Sequence, residues 1–136
     1  TGVRIGVTIA KTIAWSLNKK IIPISSLEFM ATTNTNKDYV IPIIDARRGN
    51  VFAGIYTNIL DCAMNDTLIS IDVLLKDKND DYELISYDNI ENAVKPNPDV
   101  IKLINKHIND VGVNPHELKP NYLKLTEAEE KRLKND

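Results

Sequence analysis

Two apolar runs joined by a short polar turn lie in the middle of the chain, in the segment VIPIIDARRGNVFAGIY at residues 40–56. Apolar, β-branched runs on either side of such a turn predict a β-hairpin, in which Gly49 can adopt φ > 0. The first strand is apolar on both faces, so other elements should cover it on both sides. Pro42 donates no ladder hydrogen bond, which predicts an edge or locally irregular position. The hairpin therefore predicts a sheet inside a layered fold.

The segment at residues 3–18 predicts a helix with an unusually wide apolar surface. At 100° per residue its apolar side chains fill an arc of roughly 200°, wider than the stripe of ~100° on a surface helix. This helix should therefore be covered on two sides. Trp15 lies in the opposite, polar arc, and two interpretations of it remain open. Its ring either lies over the edge of the protein's own core, with Lys11 in cation–π contact, or anchors an interface.

The remaining segments alternate between strand and helix patterns, which indicates the α/β class. Polar residues 32–38 are the best candidate for a boundary between subdomains. The other predicted elements are a strand at 21–24, a helix at 27–32 capped by Ser25 and Ser26, a strand passing into a short helix at 68–75, a strand at 82–86, a helix from Pro98 to Val111 ended by Gly112, and an extended tail with a charged end.

Composition excludes several classes of protein. The 136 residues suffice for one domain with its own core. With 17 basic and 19 acidic residues interspersed, the chain has no basic stripe, so tight binding of nucleic acid by the chain alone is not expected. No apolar segment approaches the ~20 residues of a bilayer-spanning helix, and no membrane association is predicted. The single cysteine, Cys62, fits a reducing compartment and predicts a cytoplasmic location.

Motifs for hydrolytic or nucleotide chemistry are missing from the sequence. The two histidines, His107 and His116, form no HxxxH or HExxH pattern and are interpreted as partly exposed side chains. Ser25 and Ser26 are interpreted as a helix cap rather than as nucleophiles. No GxSxG, GxxxxGK[ST] or GxGxxG motif occurs. We therefore predict no catalytic residue and no metal ligand in this chain.

The turn between the apolar runs holds one acid and two guanidinium groups, Asp45, Arg47 and Arg48. The arginines would keep Asp45 ionised, which makes it a poor general base at neutral pH. One interpretation is an ion-paired structural turn. The other is a contact for an anion or a partner. Both remain open on the residues alone.

Four segments in this order resemble the bacterial TsaB family: TGVRIGVTIAKTIAWSLN, IIPISSLE, IIDARRGNVFAGIY and PHELKPNYLKLTEAE. The resemblance spans nearly the whole chain. It implies the actin-like ATPase, ribonuclease H-like (ASKHA) fold, with the first strands of the N-terminal lobe missing. Residues 1–37 would end that lobe, and residues 38–136 would form the second lobe with a C-terminal helix and tail. The abrupt start at Thr1-Gly2, without an initiator Met, agrees with an N-terminal truncation.

The resemblance also implies a function. Members of the family are non-catalytic scaffold subunits of the complex that makes threonylcarbamoyladenosine in tRNA, and they bind and activate the catalytic paralogue TsaD. A TsaE-like ATPase joins the complex, tRNA is reached only through it, and ATP and metal belong to the partner subunits. Alone, the chain would form a homodimer. The alternatives are a peptidase of the M22 type or a nucleotide hydrolase of the actin-like superfamily, and a module whose function is self-association.

In the family the helices of the N-terminal lobe pack against those of TsaD. The resemblance therefore places the partner contacts on the first helix, and the expected residues are Val3, Arg4, Val7, Thr8, Lys11 and Trp15. It also makes the ARRG turn a family marker at a hairpin tip, with a mainly structural role.

Overall fold

The predicted hairpin forms the middle of a four-stranded sheet in the computed structural model, which describes residues 2–79, 81–119 and 132. The strand order is β3-β2-β1-β4, with β1 antiparallel to β2 and parallel to β4. The elements are α1 (Gly2–Ser16), α2 (Ser26–Ala31), β1 (Tyr39–Asp45), β2 (Asn50–Thr57), β3 (Cys62–Ser70), α3 (Ile71–Leu75), β4 (Tyr82–Ile85), α4 (Val100–His107) and a 3₁₀ turn (Pro115–Glu117). No helix among these residues is long and apolar enough to cross a bilayer.

The two faces of β1 contribute to two separate apolar clusters. Val40 packs with Leu27 and Met30 of α2 on one face. Ile41 and Ile43 pack on the other face in a second cluster, which includes Leu74 of α3 and Leu84 of β4. The prediction that the first strand is covered on both sides is therefore confirmed. Alternation along a strand sends neighbouring side chains to opposite faces, so both faces of this strand must be apolar.

Pro42 lies inside the sheet rather than at its edge, because β1 has β2 on one side and β4 on the other. Of the two predicted positions, an edge or a local irregularity, the second is observed, since Pro42 pairs with Ile85 of β4 and forms no pair with β2. Pairing between β1 and β2 passes from Val40↔Tyr56 directly to Ile43↔Ala53. Gly54 occupies this interruption, and a Cβ added there would lie 2.6 Å from Oδ1 of Asp66. A glycine is thus required where the strand approaches a side chain closely.

Two strands differ most from the predicted ones. The expected strand at 21–24 is reduced to a single bridge between Ile21 and Val113, because no second strand pairs with the rest of it in the described chain. β3 begins at Cys62 instead of Leu68, since pairing with β2 orders a segment that lacks an apolar pattern.

The last predicted helix is shorter than expected at both ends. α4 covers Val100–His107, and Asp99 caps it by accepting hydrogen bonds from the backbone N–H groups of Ile101 and Lys102 at 3.1 and 3.3 Å. Pro98 therefore precedes the cap instead of lying in the first turn. The predicted tail begins at Pro115, and its short turn is present as the 3₁₀ turn Pro115–Glu117; beyond Lys119 the tail lies outside the described residues, apart from Arg132. The boundary between residues 37 and 38 stays a prediction.

Candidate functional site

The first helix carries apolar side chains on a surface that the described chain leaves open. Ile5, Ile9 and Ile13, spaced one turn apart, are 56, 54 and 55% exposed, and we call them the open face of α1. Ala14 is the one residue of α1 classed as buried. The described elements contact only the inner side of α1, so cover on its second side stays a prediction.

The expected partner contacts lie mostly beside the open face. Val7 and Lys11 are half-buried, on the inner side with Ala14. The exposed members of the set are Val3, Arg4, Thr8 and Trp15. The hydroxyl of Thr8 donates to the carbonyl of Arg4 at 2.9 Å, as hydroxyls inside helices often do. The assignment of these six residues to an interface stays a prediction, and the isoleucines were identified only as part of the apolar arc.

The C-terminal end of α1 is attached to the segment around the 3₁₀ turn. The rings of Trp15 and His116 meet edge-on, with centroids 6.3 Å apart at an interplanar angle of 66°. Nearby, Ile21 and Val113 exchange two backbone hydrogen bonds, at 3.0 and 2.7 Å. Trp15 nevertheless stays 65% exposed, so its ring contacts the chain's own surface and remains largely accessible to solvent.

A cluster of charged side chains connects α2 to α4. The buried Glu28 uses one carboxylate oxygen, Oε1, to contact both Nζ of Lys106 and Nε2 of His107, each at 2.7 Å. The other ring nitrogen of His107 lies 2.6 Å from Asp110. The hydrogen bond to Asp110 raises the pKa of His107; burial opposes this rise and Glu28 adds to it. Because both ring nitrogens face carboxylates, this cluster stabilises the protonated imidazole.

A series of side-chain contacts continues from this cluster to β2, β3 and the start of α2. Lys106 lies over the ring of Tyr56, with Nζ 5.8 Å from the centroid. The Tyr56 hydroxyl donates to Oδ1 of Asp66 at 2.7 Å, while the Ser25 hydroxyl donates to Oδ2 of Asp66. Burial and then the hydrogen bond to Asp66 raise the pKa of Tyr56. Ser25 also accepts from the backbone N–H of Leu27 at 3.1 Å, which confirms its role as a helix cap.

Sequence reasoning missed this network. Glu28 and His107 are 79 positions apart, and nothing in either local pattern indicates the pairing. A weak signal was available in the acid at position 28 itself, which lies among residues that α2 buries. A charged group on the buried side of a short helix requires a partner. His107 is partly exposed, as predicted, and the contacts of both its ring nitrogens with carboxylates were not predicted.

The hairpin turn is held by hydrogen bonds rather than by ion pairs. Oδ1 of Asp45 accepts from the backbone N–H of Arg47 at 2.9 Å, and Oδ2 of Asp88 accepts from that of Asp45 at 2.8 Å. Arg47, Arg48 and Gly49 have φ values of 69, 54 and 75°. The expected ion pair among these side chains is not formed in the described part of the chain, and both arginines are exposed.

The described residues offer little for catalysis. No group of three or more His, Cys, Asp or Glu side chains able to hold a metal ion occurs among residues 2–79, 81–119 and 132. A cleft of about 480 Å³ lies between α3 and β4, away from the charged cluster. Its polar lining is Asp72, Glu83, Glu91 and Asn92, with Ile71, Leu75, Tyr82, Leu84 and Ile90 as the remaining lining residues.

Comparison with known proteins gives the family. A family model described as "TsaD: tRNA N6-adenosine threonylcarbamoyltransferase" matches residues 1–124. A protein of Bacillus subtilis (strain 168), "tRNA threonylcarbamoyladenosine biosynthesis protein TsaB", is 34% identical over an alignment 160 residues long, gaps included, which covers 99% of this chain and 69% of that protein. The chain belongs to the TsaB family.

Solved structures support the fold of this TsaB-family chain. A crystal structure of "an uncharacterized protein with similarity to peptidase YEAZ from Pseudomonas aeruginosa" superposes with a TM-score of 0.71 at 19% identity, over 91% of this chain and 68% of that one. The structure "YeaZ from Pseudomonas aeruginosa" gives 0.70 at 19% identity, over 90% and 69%. At this identity the likeness concerns the fold alone. Together with the family match over residues 1–124, it agrees with the α/β, actin-like fold class that the TsaB resemblance implied.

Proposed function

We propose that this chain acts in the biosynthesis of threonylcarbamoyladenosine in tRNA as an accessory subunit without catalytic residues of its own. It binds the TsaD-type catalytic paralogue through α1 and holds that subunit in an active arrangement. Membership of the TsaB family supports the pathway, and the open face of α1 supports the mode of action. The observation that carries the proposal is that Ile5, Ile9 and Ile13 are each more than half exposed on one helix.

The spacing of these isoleucines and their removal from water both favour docking of α1 on a partner. Three isoleucines one turn apart form a continuous apolar strip, the pattern by which a helix docks into a groove or against another helix. Covering the exposed half of each side chain contributes about 1 kcal/mol. A strip of this kind left in water promotes association. Trp15, which is 65% exposed on the same helix, adds an aromatic contact beside this strip, and Trp is a frequent interface anchor.

The occupant of the open face is the TsaD-type paralogue. The family model that matches residues 1–124 describes such a protein, so the two chains share a domain type. Helices that pack between related domains bury the same kind of surface on both sides, which favours a pseudo-symmetric pair. When the paralogue is absent, the same face pairs two copies of this chain. A TsaE-like ATPase joins the pair, and tRNA reaches this chain only in the assembly.

ATP and metal are assigned to the partner subunits in this proposal. The histidine of the charged cluster, His107, is partly shielded from water, and Glu28 and Asp110 occupy both of its ring nitrogens. An imidazole held in this way is a structural group and not an open metal ligand, because a ligand nitrogen must be deprotonated and accessible.

Reconstituted tRNA modification tests the proposal. The intact protein is added to the TsaD-type subunit, the ATPase, the threonylcarbamoyl donor and unmodified tRNA, and incorporation of labelled threonine is measured. Modification should require this chain and should be lost with Ile9→Lys, whereas Ile101→Lys should retain it. Ile101 is a matched control, because it is an isoleucine on α4 that is 70% exposed. Full modification without this chain, or peptide or nucleotide hydrolysis by this chain alone, would contradict the proposal.

A further inference from the structure

The turn of the β1–β2 hairpin presents two adjacent guanidinium groups that have no partner in the described chain. Arg47 and Arg48 are exposed, and neither side chain makes a hydrogen bond or an ion pair with residues 2–79, 81–119 or 132. Each guanidinium carries five donors in a planar fork that fits phosphate oxygens. We call this pair, Arg47 and Arg48, the arginine tip.

The backbone of the arginine tip is in a conformation that arginine does not favour. Arg47 and Arg48 both have φ in the left-handed region, at 69 and 54°. Asn or Gly adopts this region more easily, since the side chain of other residues approaches the following carbonyl oxygen. Two consecutive arginines at such positions indicate that their side chains are needed there, because strained residues concentrate at binding sites.

The arginine tip is also anchored firmly to the rest of the domain. Within the turn, Ala46 donates its N–H to Asn50 at 2.9 Å and Asn50 donates to Arg47 at 3.0 Å. Outside the turn, the first residue of α3, Ile71, donates to the carbonyl of Gly49 at 2.9 Å. These hydrogen bonds join the tip to a second element. The two guanidiniums therefore project from a fixed base, and a ligand would not have to order the backbone.

The neighbouring carboxylates do not neutralise the arginine tip by pairing with it. Oδ1 of Asp45 accepts from the backbone N–H of Arg47, and Oδ2 of Asp88 accepts from that of Asp45. These two acids stabilise the base of the turn. The guanidiniums keep all their donors for an external anion.

We propose that the arginine tip contacts the phosphate backbone of tRNA in the assembled modification complex, an inference that rests on the proposed function. With a net charge of −2 the chain does not bind RNA tightly alone, whereas two guanidiniums add to a binding surface that the partner supplies. The contact positions the tRNA and does not read its sequence, because phosphates carry no sequence information. Carboxylate oxygens on a protein partner could also bind the two guanidiniums. The test below distinguishes that contact from a contact with tRNA.

The test measures the affinity of an unmodified tRNA transcript for the complex of the intact protein with its TsaD-type paralogue. Fluorescence anisotropy is recorded at several salt concentrations, and formation of the protein complex is followed separately by size exclusion. The main variant is Arg47→Asn with Arg48→Asn, because Asn removes the charge and still adopts φ > 0. Arg47→Lys with Arg48→Lys keeps the charge. Lys76→Asn with Lys78→Asn removes two exposed charges elsewhere.

We expect the double Asn variant to form the protein complex normally and to bind tRNA at least about tenfold more weakly near 0.1 M salt. The slope of log K against log salt should become shallower by roughly 1.4 to 1.8, the value for two lost phosphate contacts. The double Lys variant should keep most of the slope, and the Lys76 and Lys78 variant should keep both slope and affinity.

Three results would overturn the inference. The first is unchanged tRNA affinity in the double Asn variant. The second is an equal loss in the variant of Lys76 and Lys78, which would indicate general electrostatics. The third is loss of the protein complex in the double Asn variant, which would make the arginine tip a protein contact. If the wild-type chain forms no complex with the paralogue, the proposed function fails first, and size exclusion reports this independently of tRNA.

Discussion

Glu28 and His107, 79 positions apart in the sequence, join α2 to α4 through a contact of 2.7 Å between Oε1 and Nε2. Both side chains are largely shielded from water, with 11 and 17% of their side-chain surfaces exposed. The same carboxylate oxygen also contacts Lys106, so one buried acid supports two basic groups. The apolar cluster beneath it includes Leu27 of α2 and Leu103 of α4. The ion pairs therefore orient two helices that the core already brings together.

Removing the acid should destabilise the fold more than removing an exposed one. Glu28→Gln leaves Lys106 and His107 without their anion in a shielded place, and we expect a loss of about 2 kcal/mol in the free energy of unfolding. Urea denaturation followed by circular dichroism measures this. Glu91→Gln changes an exposed acid and should cost less than about 0.5 kcal/mol. Equal effects of the two substitutions would show that the cluster contributes nothing specific.

Stability should also depend on pH through His107. Its pKa is raised by Asp110 and Glu28, so the folded chain binds the proton more strongly than the unfolded chain. This stabilisation is fully present below the ordinary histidine pKa of about 6.5, and it is lost as the pH rises through the higher pKa of the folded state. Thermal unfolding between about pH 6 and pH 9 should show this decline.

The histidine variants identify the source of the pH dependence. His107→Gln should remove most of the decline, because the titrating group that faces Glu28, Asp110 and Lys106 is gone. His116→Gln is the matched control, since its exposed ring contacts Trp15 instead of carboxylates. A decline that persists in His107→Gln and disappears in His116→Gln would contradict the assignment.

Gly54 should not tolerate a side chain. A Cβ there would lie 2.6 Å from Oδ1 of Asp66 and 2.9 Å from the Tyr56 ring, so Gly54→Ala must displace the hydrogen-bonded pair of Tyr56 and Asp66. We expect a loss of about 1 to 3 kcal/mol in the free energy of unfolding. Gly6→Ala is the control, because nothing lies within 4 Å of its Cβ position. In the helix it should stabilise by up to about 1 kcal/mol. Destabilisation by Gly6→Ala and none by Gly54→Ala would contradict the packing described.

The arginine tip should lower the stability of the fold while it strengthens the binding of tRNA by the complex. Replacing Arg47 and Arg48 by Asn relieves two left-handed residues of their strain and removes no hydrogen bond of the described chain. The free energy of unfolding should rise by about 0.5 kcal/mol or more, while tRNA binding by the complex weakens. Chemical denaturation of the variant measures the first effect. A clear loss of stability would mean that the arginine side chains hold the turn.

The hairpin and the cap of α2 could be predicted because their signals are local. Apolar residues on both faces of residues 40–44 require two covering layers, and both layers are present. Ser25 caps α2 because its hydroxyl oxygen can accept a hydrogen bond from the backbone N–H of Leu27, only two residues later. Such features depend on neighbours within a few positions.

The remaining features depend on partners that the local sequence does not contain. Residues 62–67 form a strand because β2 pairs with them, although their own pattern is polar. The pairing of Glu28 with His107 requires α2 and α4 to meet over the sheet. The width of the apolar arc of α1 was predicted from its sequence. Which part of that arc is buried, at Ala14, and which part is exposed, at the open face, depends on the elements that pack against the helix.

The most direct measurement of the central claim is light scattering after size exclusion of the intact protein mixed with its TsaD-type paralogue. We predict a one-to-one heterodimer for the wild type and for Ile101→Lys. The double variant Ile9→Lys with Ile13→Lys should remain monomeric when mixed with the paralogue, with unchanged far-ultraviolet circular dichroism. A heterodimer that persists in the folded double variant, or no heterodimer with the wild type, would contradict a scaffold that binds its catalytic partner through α1.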